Sequence, residues 1–206
     1  MAKTIIKRTT PKFRVSFPHV FQPHAMSAKQ APKFSVTMLF PKDTDMAWYK
    51  SAVTECLTDK FGPDSAKWPK GLRKPLRDGD EKEADVSGYA NMFFMTARAQ
   101  ADRKPGIVDQ SGVVRIESPD EFYAGCYARA TVVFYYYDTE GNKGVGVALN
   151  NLQKLADGEK VSGRKDAESD FGPAPGAAAS DVDADDVMPA KRSAAPAKGA
   201  ASSLLD

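Results

Sequence analysis

The stretch Pro119–Glu159 reads PDEFYAGCYARATVVFYYYD, then TEGNKG, then VGVALNNLQKLADGE. From Cys126 to Tyr137 it is rich in aromatic and β-branched residues, which suit a pleated surface. Successive side chains of a strand point to opposite faces. One face then carries Ala128, Ala130, Val132, Phe134 and Tyr136 and can be buried. The other carries Tyr127, Arg129, Thr131, Val133, Tyr135 and Tyr137, rings beside a guanidinium that suit the stacking of bases. Core and rim packing is the plainer reading of Tyr135-Tyr136-Tyr137, and both readings stand at this point. Gly141-Asn142 and Gly144 form a turn signal, so a second strand is expected from Val145, making a hairpin.

Working outward, Phe13, Val15 and Phe17 alternate with Lys12, Arg14 and Ser16, a half-buried strand with a basic outer face. Pro18, His19, Pro23 and His24 are expected to interrupt it. Phe34, Val36, Met38 and Phe40 form a second strand that Pro41 ends. A helix is expected next, capped by Asp43 or Thr44, with Asp45 at its positive end. Met46, Tyr49, Val53, Cys56, Leu57 and Phe61 share its apolar face, Trp48 falls away from that face, and Gly62-Pro63 stops it. Tyr89 to Gln100 reads as a third strand, apolar on both faces and therefore either interior or with a sticky outer surface, with Tyr89, Asn91, Phe93, Met95 and Ala97 on one side. Ile107-Val108 and Val113–Ile116 read as two further strands joined at Asp109–Gly112.

Residues 63–88 are punctuated by glycine and proline and read as irregular. Lys67, Trp68, Lys70, Arg73, Lys74 and Arg77 interleave basic and aromatic groups there, beside the acidic Asp78, Asp80, Glu81, Glu83 and Asp85. A long loop in a compact domain is usually either functional or disordered.

The chain has 206 residues and a net charge of +2. From Asp166 onward eight acidic and three basic residues give −5, leaving +7 on residues 1–165. A basic body with an acidic tail suits a protein that meets polyanions, and equally a solvated body with a solubilising tail. The division expected is a domain over 1–165 and a disordered Ala/Pro/Asp-rich tail over 166–206, too poor in apolar residues to offset the entropy of ordering. No apolar run reaches the roughly 20 residues of a membrane span. The start lacks the apolar middle of a secretory signal, and two cysteines make no disulfide scaffold, so a reducing cytoplasm is expected.

Motifs for catalysis are missing. His19 and His24 lie five apart with no CxxC anywhere, so no zinc site has standard spacing and no metal or cofactor is expected. Gly144 and Gly146 begin a GxG, but Leu149 stands where a dinucleotide fingerprint needs its third glycine. Phosphate-loop and nucleophile-elbow patterns are absent from the sequence. The paired Asp185-Asp186 lies in the tail, where nothing fixes its geometry.

Several correlated motifs carry a family likeness: Glu121–Gly125, Arg129-Ala130, Tyr135–Asp138, Gly141, Lys143–Val145, Leu149–Asn151, Gln153-Lys154 and Asp157–Glu159. With them the chain resembles, over most of residues 1–171, a family of small phage-encoded single-stranded-DNA-binding proteins with an OB-type barrel. The resemblance implies a mostly β fold, a Greek-key barrel of about five strands with one helix between strands. It also implies a non-catalytic protein of the infected host's cytoplasm that coats and protects single-stranded DNA in replication, recombination or repair. Single strands are held by a cationic groove and by rings on which bases stack. The stacking candidates are Tyr127, Tyr135, Tyr89, Phe93 and Trp68. The phosphate candidates are Arg14, Arg73, Lys74, Arg77, Arg98, Arg103, Lys104 and Arg129. The tail is similar to those of bacterial and phage single-strand binders, which compete with DNA for the groove and recruit replication or recombination proteins. Asp181, Asp183, Asp185, Asp186 and Asp206 would act there. Lys191, Arg192 and Lys198, and an end Leu204-Leu205-Asp206 without an aromatic, depart from that pattern. A β-rich virion protein is the other class of reading, and a metal-dependent nuclease a third.

Overall fold

In chain order the elements are β1 (Ile6–Thr9), β2 (Phe13–His24), β3 (Lys33–Pro41), α1 (Ala47–Phe61), β4 (Arg77–Asp78), β5 (Met92–Gln100), β6 (Gly106–Val108), β7 (Tyr127–Thr139) and β8 (Asn142–Ala156). They come from a computed structural model that describes residues 5–25, 27, 30–81, 88–139 and 141–161. The expected tail, residues 166–206, lies outside the described residues, as do Glu83 and Asp85.

The alternation of the central stretch is borne out. Ala128, Ala130, Val132 and Phe134 are buried, Tyr136 packs half-buried against them, and Arg129 and Tyr135 face outward. The hairpin turns one residue earlier than Gly141-Asn142, because Thr139 pairs with Asn142. Gly141 takes φ 78°, which costs glycine nothing. The second strand accordingly starts at Asn142 and not at Val145.

Five strands close into a ring. β2 pairs with β3, β3 with β5, β8 with β7 and β7 with β2, all antiparallel, while β5 meets β8 in parallel at Arg98–Ala148. Numbered along the chain, the five follow one another round the barrel as first, second, third, fifth, fourth. This is the five-stranded OB-type Greek-key barrel. Closure leaves few open edges, and the short strands β1, β4 and β6 cover parts of β7, β5 and β8. The interior is filled by Phe13, Val15, Val36, Met38, Phe40, Met95, Ala97, Val147, Leu149 and Leu152 with the inner residues of β7.

Helix α1 follows β3 and lies against β7 and β1. Tyr49, Ala52, Val53, Cys56 and Leu57 form its buried face, as the spacing predicts. Neither Asp43 nor Thr44 caps it. The Thr44 N–H is used in a turn onto the Pro41 carbonyl (3.0 Å), and Asp45 Oδ1 accepts from Ala47 N (2.8 Å). Trp48 is half-buried, with its ring 6.1 Å from both Phe40 and Phe134.

Four further readings need correction. Pro18, His19, Pro23 and His24 do not end β2; it runs on to His24 through two register shifts. Phe17 is not in the core: it is 52% exposed with φ 45°. The third strand starts at Met92, since Asn91 has φ 58° and breaks the run from Tyr89. Val113–Ile116 pairs with the preceding strand less than expected: the turn falls at Asp109–Gly112 and Arg115 bridges Val108 antiparallel, with Ile116 N donating to Ile107 O (3.0 Å), but no longer ladder forms. Asp109 Oδ1 accepts from Ser111 Oγ and from the amides of Gly112 and Val114, closing a turn that leaves Val113 82% exposed.

Candidate nucleic-acid interface

OB-type barrels bind oligonucleotides over the face of their second and third strands and the loops beside it. Here those strands are β3 and β5, flanked by β2. Pairing sets Ser16 beside Thr37 and Thr37 beside Thr96 in one outer row, and His19 beside Ser35 and Ser35 beside Arg98 in the next. Short hydroxyl side chains occupy these rows, with Thr37 Oγ1 and Thr96 Oγ1 3.0 Å apart; Ser16 and Thr37 are buried, and Ser35 and Thr96 are partly exposed. In the second half of β2, the His19 and His24 rings stack at 4.5 Å and 16°. Partial burial, and then the nearby His24, hold the His19 pKa below its usual 6.5.

The basic half of the 63–88 segment forms part of the barrel wall. Arg73 N donates to Lys143 O (2.9 Å) and Val145 N donates to Arg73 O (3.0 Å), while Arg77 pairs with Phe94. Residues 73–78 thus bridge the gap where β5 and β8 diverge. A Cβ on Gly144 would lie 2.4 Å from Arg73 O, so only glycine lets the segment approach so closely. Leu72 and Leu76 pack on the core, leaving Arg73, Lys74 and Arg77 exposed at one edge of the β3–β5 face.

The adjacent acidic groups have a structural task. Lys42 Nζ lies 2.9 Å from Asp78 Oδ1 and 2.5 Å from Asp80 Oδ2, and Asn91 N donates to Asp80 Oδ1 (2.6 Å). The Lys42 hydrogen bonds hold both carboxyls below the usual 3.8 and raise the lysine above 10.5. Asp78 and Asp80 are thereby paired beside the exposed arginines.

The other candidates are dispersed. Tyr127, Arg129 and Tyr135 lie on the outer face of β7, a different wall. Tyr135 rests on Gly146, whose missing Cβ would be 2.5 Å from its ring, and is 37% exposed. One face of Tyr127 is taken by Lys12 Nζ, 5.2 Å from the ring centre. Arg129 Nε donates to Gln153 Oε1 (2.7 Å). Arg14 Nη2 donates to Glu159 O (3.1 Å). Arg103 and Lys104 are exposed in the turn after β5. Phe93 packs partly on the core with Lys42 Nζ 5.8 Å above it. Trp68 also packs on the core and donates its indole N–H to Gly62 O (2.9 Å). Tyr89 is corrected as a stacking residue. It is 2% exposed, wedged against Leu39 and Phe94 with its hydroxyl 3.2 Å from Ser16 Oγ, so no ring face is open to a base.

Sequence reasoning missed Phe17 and the stacked histidines on this face. The available signal was the phase change along β2, where inward burial passes from Val15 to Val20 instead of through Phe17.

A barrel of this order, with a hydroxyl-lined face bordered by arginines, defines the OB-type class of nucleic-acid-binding domain. The family described as the single-stranded-DNA-binding protein of Enterobacter phage Enc34 matches residues 5–187, and the chain belongs to that family. A putative protein, p50, of Acyrthosiphon pisum secondary endosymbiont phage 1 is 34% identical over 158 residues, 73% of this chain and 83% of that protein. Among solved structures, the bacteriophage Enc34 single-stranded-DNA-binding protein in complex with ssDNA aligns with a TM-score of 0.63 at 23% identity. That alignment covers 76% of this chain and 89% of that one. The bacteriophage T7 single-stranded-DNA-binding protein gp2.5 aligns at 0.56 and 13% identity, over 86% of this chain and 100% of that one. These two likenesses are of fold. Among the described residues no helix is long and apolar enough to cross a membrane.

Proposed function

We propose that this chain binds single-stranded DNA without catalysing a reaction, coating and protecting it during phage DNA replication, recombination or repair in the cytoplasm of the infected bacterium. The observation that carries this is the wall segment 73–78, which sets exposed Arg73, Lys74 and Arg77 at the edge of the β3–β5 face of an OB-type barrel. Family membership and the Enc34 protein's structure with ssDNA support it. Neutralising phosphates releases counterions, so binding weakens steeply with salt. The tail carries −5 and the body +7, so the tail competes for the same cations and offers a tether for replication or recombination proteins. Adding oligo-dT should quench tyrosine and tryptophan fluorescence, reversibly with salt. No response at low ionic strength would refute the reading and favour a virion component. Consumption of the oligonucleotide with magnesium or manganese would instead identify a nuclease.

A further inference from the structure

Phe17 occupies an unusual position. In a regular strand the run Phe13, Val15, Phe17 would point all three rings and methyls inward. Instead Ser16 pairs with Thr37 and His19 with Ser35, so Phe17 and Pro18 together oppose the single residue Val36. This is a β-bulge, a device that re-aims side chains. Pro18 suits it, having no N–H to lose from the ladder. Phe17 does not suit it. A positive φ is uncommon for a bulky residue, and a following proline restricts the backbone further. The residue is therefore held in a strained conformation with a large apolar ring in water. An observed outlier of this kind is grounds for a functional hypothesis.

The remaining aromatics sharpen the point. Lys12 lies over Tyr127, Lys42 over Phe93 and Lys60 over Tyr136, while Lys154 and Lys160 both approach the Tyr123 ring. Among the described residues the exposed large aromatics are Phe17 and Tyr135, and Phe17 is the more open. It also lies on the ladder between the Ser16–Thr37–Thr96 row and the His19–Ser35–Arg98 row.

We propose that Phe17 is a base-stacking platform of the β2–β3–β5 face, held open by its strained bulge. This rests on the reading of the chain as a single-strand binder. Stacking and strain predict opposite effects of one substitution. Phe17→Gly relieves the backbone and removes the ring. It should leave the thermal midpoint unchanged or higher, yet weaken binding of a fluorescein-labelled oligo-dT about five- to 150-fold, the range for loss of one stacked base. The slope of log affinity against log salt should not change, since no phosphate contact is removed. Phe17→Trp should bind within about twofold of the parent chain, because any flat ring serves. The full chain is titrated by fluorescence anisotropy, with unfolding followed separately by circular dichroism. If the parent binds and Phe17→Gly binds equally well, the platform is refuted while the single-strand reading stands. If Phe17→Gly lowers the midpoint clearly, Phe17 is a packing residue and the proposal is likewise overturned. Failure of the parent chain to bind would overturn the functional reading and this proposal with it.

Discussion

Gly125 and Gly141 both take positive φ, but substitution by alanine should cost very different amounts. Gly141 has φ 78° and nothing within 4 Å of an added Cβ. Gly141→Ala then meets only the left-handed backbone penalty, about 1–2 kcal/mol. Gly125 has φ 111°, and an added Cβ would lie 1.9 Å from Glu159 O and 3.0 Å from Val161 N. It cannot retreat, because its own N–H donates to Val15 O (2.8 Å) and Val15 N donates to Cys126 O (2.9 Å). Residues 157–161 must move instead. That breaks the bond from Val161 N to Ala124 O (2.9 Å) and the bond from Arg14 Nη2 to Glu159 O (3.1 Å). Each such bond is worth about 0.5–1.5 kcal/mol net, and the backbone strain adds about 1–3 kcal/mol. Gly125→Ala should therefore cost about 4 kcal/mol. At roughly 2–4 °C per kcal/mol for a domain of this size, the midpoint should fall by about 8–16 °C, against about 2–8 °C for Gly141→Ala. Circular dichroism melts measure both, and hydrogen exchange at the Val161 amide reports the local break. If Gly125→Ala melts no lower than Gly141→Ala, and Val161 keeps its protection, the close approach of these two segments is not what the motif glycine serves.

Lys74→Ala and Arg77→Ala should each weaken oligo-dT and mixed-sequence oligonucleotides alike and lower the salt slope by about 0.7–1; an unchanged slope for both would take the wall segment out of the interface. Deleting the chain from Asp166 onward should tighten binding at low salt and let the body engage duplex, and equal or weaker binding in a gel shift would end the idea of tail competition. His19 adds a pH term. Its folded pKa lies below 6.5, so the unfolded chain protonates first, and its contribution to stability is present above pH 6.5 and lost as pH falls through the folded value. Urea midpoints should therefore fall between pH 7.5 and 5, less so in His19→Gln. Asp78 and Asp80 act lower down: their contribution is present above pH 3.8 and lost on further acidification, so a midpoint flat from pH 7.5 to 5 would count against the His19 term alone.

Most of the barrel was legible because half-buried strands and one amphipathic helix write their periods directly into the chain. β7, β3 and α1 show it, each with apolar side chains where the fold needs them inside. The failures share a different origin. Val113–Ile116 pairs with Ile107-Val108 across the expected turn only as a bridge at Arg115, because the Asp109 side chain satisfies three nearby donors and draws Val113 and Val114 into the turn. The wall segment 73–78 was hidden by Pro75 and the flanking Gly71 and Gly79, and by pairing with β5 and β8, which come later in the chain. No local pattern announces a two-residue strand whose partners are non-local.

The site was less legible than the fold, for a reason particular residues make plain. Alternation says which way a ring points, not what lies over it. Tyr127 points outward as expected and meets Lys12; Tyr135 points outward and lies on Gly146. Lysines and aromatics read as separate halves of a DNA-binding composition, yet here cations sit on rings, an attraction of about 0.5–1 kcal/mol at exposed sites. Each such pair withdraws a ring face from the surface available to a base. Among the described residues the most open ring, Phe17, was the one that hydrophobic periodicity assigned to the core, because a bulge alters the facing of a side chain without altering its neighbours in sequence. A binding surface made this way depends less on how many aromatics a chain holds than on which of them the backbone has turned outward at a cost in strain.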